Sequence, residues 1–251
     1  MRFGFSSAAL GLLFVLLVAC GGPAPDPGTP PAPPTPAPET PALPDLTPDV
    51  WTPISPGGDT RCSDDSEYTF YVRPGTVNKL VVDFEGGGAC WNGFTCGGSY
   101  YAPNVGGPPD ARAGLYDQAN PANPVRDWYH VFVSYCTADV HLGDSTETYA
   151  TAAGEKTVRH NGQTNVAAVL EYIGREFGGP EAVFVTGCSA GAYGAALYTP
   201  RLADLYPDAD VTQLGDCGAG VIPESFATEE DGLQRWNIGG VLPEGVDLTG
   251  G

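Results

Sequence analysis

Basic side chains are scarce in this sequence: 11 Lys and Arg stand against 30 Asp and Glu, for a formal charge of −19. Nucleic-acid binding needs clustered Lys and Arg to replace counterions, so that class of partner is excluded. The same imbalance disfavours a strongly acidic polymer as ligand unless the cleft differs from the whole, although it says nothing of fold. No CxxC pair and no HExxH occurs, which removes the usual zinc frameworks. Histidine is limited to His130, His141 and His160. The longest apolar run, residues 8–18, is too short for a comfortable membrane span.

That run belongs to an export signal. It follows a single charge at Arg2 and ends at Leu17-Val18-Ala19-Cys20, the composition of a secretory leader. Small residues before the cysteine give residues 1–20 the look of a bacterial lipobox, with Cys20 as the lipidated residue and sole membrane attachment. An ordinary cleaved leader with an incidental cysteine is the alternative, and either reading exports the protein. Residues 21–50 hold twelve of the 25 prolines and few large apolar groups before Leu43, so they cannot bury enough surface to fold. They are expected to form a disordered, semi-extended spacer. Setting Cys20 aside leaves six cysteines of the seven, an even number that suits an oxidising compartment. Spacing alone does not fix their pairing, although Cys90 and Cys96 are close enough to bridge one loop.

From residue 51 onward the pattern is that of an α/β domain. Residues 68–72, 79–84, 130–135, 182–186 and 210–214 read as strands, several of them continuous apolar runs that suit burial on both sheet faces. Residues 165–173 carry apolar groups at helical spacing and are stopped by Gly178-Gly179-Pro180; residues 190–205 read as a second helix. Strand and helix in alternation predict a mostly parallel sheet with flanking helices. The glycine- and proline-rich stretch 97–124 fits no regular element and is expected to wrap the surface near a cleft.

Chemistry centres on Gly187-Cys188-Ser189-Ala190-Gly191, between a predicted buried strand and a helix. A sharp turn there would expose the Ser189 hydroxyl as a nucleophile, with small neighbours avoiding collision. A capping serine in a glycine-rich turn is the plainer alternative. Glu85-Gly86-Gly87-Gly88-Ala89-Cys90-Trp91, directly after another strand, supplies backbone N–H groups that could converge on an oxyanion, joined by that of Ala190. Asp139, His141 and Asp144 could be read as metal ligands, but one histidine with two carboxylates in a loop is a common coincidence, and no metal is expected.

These motifs, with Asn92, Thr95-Cys96, the run Tyr135-Cys136-Thr137-Ala138-Asp139-Val140-His141-Leu142-Gly143-Asp144 and Gly215-Asp216-Cys217-Gly218-Ala219-Gly220, resemble the pectinacetylesterase/Notum family over residues 57–226. The resemblance implies an α/β-hydrolase fold and metal-free, cofactor-free carboxylesterase chemistry that removes acyl groups such as acetate from a glycan or other alcohol. It implies Ser189 as nucleophile, oxyanion roles for Gly87, Gly88 and Ala190, and disulfides Cys62 to Cys136 and Cys90 to Cys96. Cys188 and Cys217 depart from the family's commoner residues, and pairing them would complete the set. In this fold the acid and histidine follow the nucleophile, yet all three histidines precede Ser189. Asp216 is read as structural or cleft-lining, His130 as structural, His160 as the head of the first long helix, and His141 as the one conceivable substitute base. Residues 51–251 are therefore expected to be the N-terminal portion of such a domain, truncated at the C-terminus. A non-catalytic surface lipoprotein that binds glycan is the competing expectation.

Overall fold

The β-branched runs form a six-stranded mixed sheet. In the computed structural model, which describes residues 46, 50–109, 114–218 and 232–242, its strands are β1 (Thr52–Ile54), β2 (Phe70–Arg73), β3 (Val77–Phe84), β4 (Trp128–Val133), β7 (Ala182–Cys188) and β8 (Asp210–Asp216). Their spatial order is β1-β2-β4-β3-β7-β8. The four strands β4, β3, β7 and β8 run parallel, while β1 and β2 form an antiparallel margin. The segment expected to be a leader, Cys20, most of the stretch expected to be a spacer, and Ala219 and Gly220 lie outside the described residues.

Burial explains why the central strands read as continuous apolar runs. Leu80, Val81, Val82 and Phe84 of β3, and Val131 and Val133 of β4, are almost wholly buried, each large side chain stabilising the fold by about 1.5–3 kcal/mol. Strand β8 differs: it forms the sheet's margin among the described strands, and all of its residues except Val211 are exposed.

Two helices cover the sheet. Helix α2 (Gly162–Glu176) buries Val166, Val169 and Ile173, the 3.6-residue stripe that predicted it. Helix α3 (Ala190–Leu205) follows β7 with no intervening residue except Ser189, and buries Ala190, Gly191, Ala192, Gly194 and Ala195 in its first two turns. Such small residues let it approach β3 closely: a Cβ on Gly194 would stand 2.8 Å from Phe84 Cδ1.

Several elements have no counterpart in the sequence expectations, β1 and the short helical turns at 114–116, 233–236 and 238–240 among them. Strands β5 (Ser145–Thr151) and β6 (Gly154–His160) form a separate antiparallel hairpin, and α1 (Gly93–Gly97) is a single helical turn capped by Asn92. His160 therefore ends β6 rather than heading α2, whose N-cap is Asn161. Disulfides join Cys62 to Cys136, Cys90 to Cys96 and Cys188 to Cys217.

Candidate active site

The parallel register brings the carboxyl ends of the central strands to one level. Phe84 lies opposite both Val133 and Gly187, and Cys188 lies opposite Asp216. The residues leaving those ends, Glu85, Ser134, Ser189 and Cys217, therefore emerge along one rim, where ligands of open parallel sheets bind.

Ser189 occupies the junction of β7 and α3 with φ 55° and ψ −118°. A side chain strongly disfavours this region, and residues there persist only where the surroundings over-determine them. Here the surroundings do. The Ser189 N–H donates to the carbonyl of Asp216 (3.1 Å), and its own carbonyl accepts from Ala192 N–H (3.0 Å). On either side there is no room for a side chain: a Cβ on Gly191 would stand 1.9 Å from the Phe84 carbonyl oxygen, and one on Gly187 2.3 Å from that of Gly191. The two glycines of the motif thus have separate steric causes. Ser189 makes no side-chain capping bond although it stands at the N-cap, which removes the capping explanation for it. It is exposed between buried Gly187 and Ala190.

The glycine loop faces the same point. A Cβ on Gly86 would lie 2.5 Å from the Cys188 carbonyl oxygen and 3.3 Å from Ser189 Cβ. Gly86 is thus the loop residue tight against the serine, a position that motif reading passed over in favour of Gly87 and Gly88. Gly88 takes φ +77°, and a Cβ there would meet the Tyr100 carbonyl oxygen at 1.9 Å. Among the described residues, the N–H groups of Gly86, Gly87 and Gly88 have no acceptor within the protein. That of Ala190 is one of the four a helix start always leaves free. Tyr100 and Ala102, from the glycine- and proline-rich stretch, strap this loop, with Ala89 N–H donating to Tyr100 O and Ala102 N–H to Gly87 O.

Glu85 anchors the loop's first residue. Its Oε2 accepts from Tyr135 N–H (2.8 Å), its N–H donates to Val133 O, and its carbonyl accepts from His141 Nε2 (2.8 Å). Burial pushes the Glu85 carboxyl up to about 7, the Tyr135 N–H pulling it back in part. The Tyr135 hydroxyl donates to Gly88 O and accepts from Val140 N–H, bracing the far side of the loop. These two braces carried no signal in the motif itself.

The histidines have other work. His130 is fully buried in β4, its Nε2–H on Asp83 (3.2 Å) and its Nδ1 facing Arg73 (3.4 Å). His160 donates from Nδ1 to Thr137 O and accepts at Nε2 from the Tyr149 hydroxyl. His141 sends its Nε2–H to Glu85 O and packs edge-on against Phe84. Burial pushes His141 and His160 down to about 4, so both are neutral at pH 7. His141 is 2% exposed. A group so placed cannot stand in as the base for Ser189, contrary to the expectation from its motif. Asp139 is buried as well, accepting from the Thr137 hydroxyl and from the N–H groups of His141, Gly143 and Gly162. These donors hold a loop in which Ala138, Val140 and His141 all take positive φ. Asp139 and His141 are thereby structural, and no cluster able to hold a metal exists among the described residues. Asp216 contributes its carbonyl to Ser189.

The family model for pectinacetylesterase matches residues 55–231, a span that takes in the glycine loop, the elbow formed by the β7–α3 turn at Ser189, and the end of β8. The chain belongs to the pectinacetylesterase family. A curated relative, the mouse palmitoleoyl-protein carboxylesterase NOTUM, is 26% identical over 171 residues, an alignment covering 62% of this chain and 33% of that protein. The chain thus spans about a third of the length of the relative it matches.

Proposed function

We propose that this pectinacetylesterase-family protein is an exported serine carboxylic-ester hydrolase of α/β-hydrolase architecture. Its nucleophile is Ser189, and it removes acyl groups such as acetate from a glycan or similar alcohol. The observation that carries the reading is the strained, exposed Ser189 at the strand-to-helix junction. A cleft that only bound glycan would need no residue held in a conformation that costs about 1–3 kcal/mol.

In this mechanism Ser189 Oγ attacks the ester carbonyl and gives up its proton. The alcohol leaves, and water then releases the acyl group from the serine. Negative charge on the tetrahedral oxygen is met by the N–H of Ala190 and by those of Gly87 and Gly88, with Gly86 closing the wall beside Ser189. The proton acceptor is a group other than His130, His141 and His160, since each is buried in a structural hydrogen bond. No metal or cofactor enters the scheme. The charge of −19 favours neutral acylated carbohydrates or small esters over polyanions.

Export is supported by the three disulfides, which persist in oxidising compartments. Lipid attachment through Cys20 completes the proposal: the spacer holds the domain off the membrane. The test is hydrolysis of acetyl esters by the chain and by Ser189→Ala. The variant should lose activity by about a hundredfold or more, and undiminished turnover would refute the assignment.

A further inference from the structure

The three disulfides sit in different surroundings. Cys62, Cys136, Cys90 and Cys96 are each 0% exposed, whereas Cys188 and Cys217 are both exposed. The exposed pair also flanks the serine. Cys188 immediately precedes Ser189, and Cys217 immediately follows Asp216, whose carbonyl holds the Ser189 N–H at 3.1 Å.

The disulfide ties the residue that follows β8 to the last residue of β7. Strand β8 pairs through β7 alone among the described strands, and its outer residues are exposed. Cys217 takes φ +45°, a conformation that a residue with a Cβ leaves readily when nothing constrains it. Gly218, next along, is pressed against the elbow: a Cβ there would stand 2.4 Å from Ala192 Cβ and 3.0 Å from the Ser189 carbonyl oxygen. The Asp216 carbonyl, the disulfide and Gly218 therefore form one short clamp on the strained backbone of Ser189.

We infer that Cys188 and Cys217 are positioning residues for Ser189, and that their solvent-exposed disulfide makes the nucleophile's geometry sensitive to dithiol reductants. The inference rests on Ser189 being the nucleophile only for its effect on turnover; the clamp itself does not. In the reaction a dithiol gives two electrons and two protons to the Cys188–Cys217 bond. That S–S bond breaks, two cysteine thiols form, and the reductant's two sulfurs join in a disulfide of their own. Exposure selects this bond over the buried pairs, because a thiolate must reach a sulfur to exchange with it. Once it opens, Cys217 relaxes from its positive φ, the Asp216 carbonyl moves, and the Ser189 N–H loses its partner.

The full chain is titrated with dithiothreitol, alkylated with iodoacetamide and mapped by mass spectrometry. Amide exchange at Ser189 and acetyl-ester turnover are followed in parallel. Cys188 and Cys217 should be labelled while the other four stay bonded. Exchange at Ser189 should quicken about tenfold, and turnover should fall about tenfold and recover on reoxidation. The double variant Cys188→Ala with Cys217→Ala should show the fast exchange from the start and ignore the reductant. Its near-ultraviolet circular dichroism shows whether the remainder stays folded, and reduction of the unmutated chain supplies the same comparison if it does not. Simultaneous labelling of all six cysteines, unchanged exchange at Ser189, or faster exchange with unchanged Ser189-dependent turnover would each overturn the inference. If the oxidised chain shows no Ser189-dependent turnover, the proposed esterase function fails, and labelling with exchange still decides the clamp.

Discussion

Replacing Ser189 by glycine should make the protein more stable than replacing it by alanine. Ordinarily the order is the reverse, because glycine loses more freedom on folding, at a cost of about 0.5–1 kcal/mol relative to alanine within regular structure. At Ser189 the backbone sits at φ 55° and ψ −118°, a region open to glycine and costing about 1–3 kcal/mol for a residue with a Cβ. Relaxation is blocked by Gly191 against the Phe84 carbonyl, Gly187 against Gly191, and the hydrogen bond to Asp216. Alanine keeps the Cβ and hence the strain, while removing only the hydroxyl. The net advantage of glycine over alanine is about 0.5–2 kcal/mol. In a domain of this size that corresponds to about 1–8 °C in Tm. Differential scanning calorimetry of the two variants at equal concentration, with disulfides intact, measures it. A Ser189→Gly protein that melts below Ser189→Ala would refute the claim that the fold stores strain at this residue.

Three further outcomes follow from the same geometry. Gly191→Ala, which places a Cβ 1.9 Å from a carbonyl oxygen fixed in β3, should cost about 3 kcal/mol, whereas Gly239→Ala, with open space around it, should be neutral; matching denaturant midpoints for the two would contradict this. Glu85, raised to about 7 when folded, holds its proton more tightly than in the unfolded chain, so its contribution is full below about 4.5 and is lost as pH rises to about 7. The stability of the native protein relative to Glu85→Gln should thus fall by up to about 3 kcal/mol across that window, and a pH-independent difference between the two urea curves would refute it. His141 and His160 behave oppositely, since burial lowers both to about 4: each favours the folded state fully above about 6.5 and loses that contribution as pH falls to about 4. Their imidazole proton resonances should show no titration between pH 7 and 5.5, and a midpoint above 6 for either would be incompatible with the burial described.

Much of the architecture was legible because periodicity and burial coincide in it. Helix α3 begins and ends where the pattern places it, and β3, β4 and β7 are the apolar runs that a doubly covered parallel sheet requires. The hairpin β5–β6 escaped because its composition is polar, with Tyr149 and Val158 its buried apolar residues before His160 at its end. Its alternation carries too little hydrophobic contrast to read as a strand signal. His160 was misplaced for the same reason: it closes a strand that the sequence does not announce.

The site divides along similar lines. Gly187, Ser189 and Gly191 could be read because sterics at a strand-to-helix turn restrict those positions to small residues. Gly86 against Ser189, Glu85 on Tyr135 and the Tyr135 hydroxyl on Gly88 could not, since they depend on contacts between segments about 50 to 100 residues apart in sequence. His141 misled in the other direction. Its motif suggests chemistry, and only the fold reveals a ring enclosed by Phe84 and Tyr135 with its proton on the Glu85 carbonyl.

The central claim is that Ser189 forms a covalent acyl intermediate. Incubating the protein with p-nitrophenyl acetate, quenching in acid and mapping peptides by mass spectrometry tests it most directly. The account predicts one acetyl group on the peptide carrying Ser189 and none on the Ser189→Ala protein. Absence of acetyl-serine in the native protein, or an adduct that persists in Ser189→Ala, would contradict it.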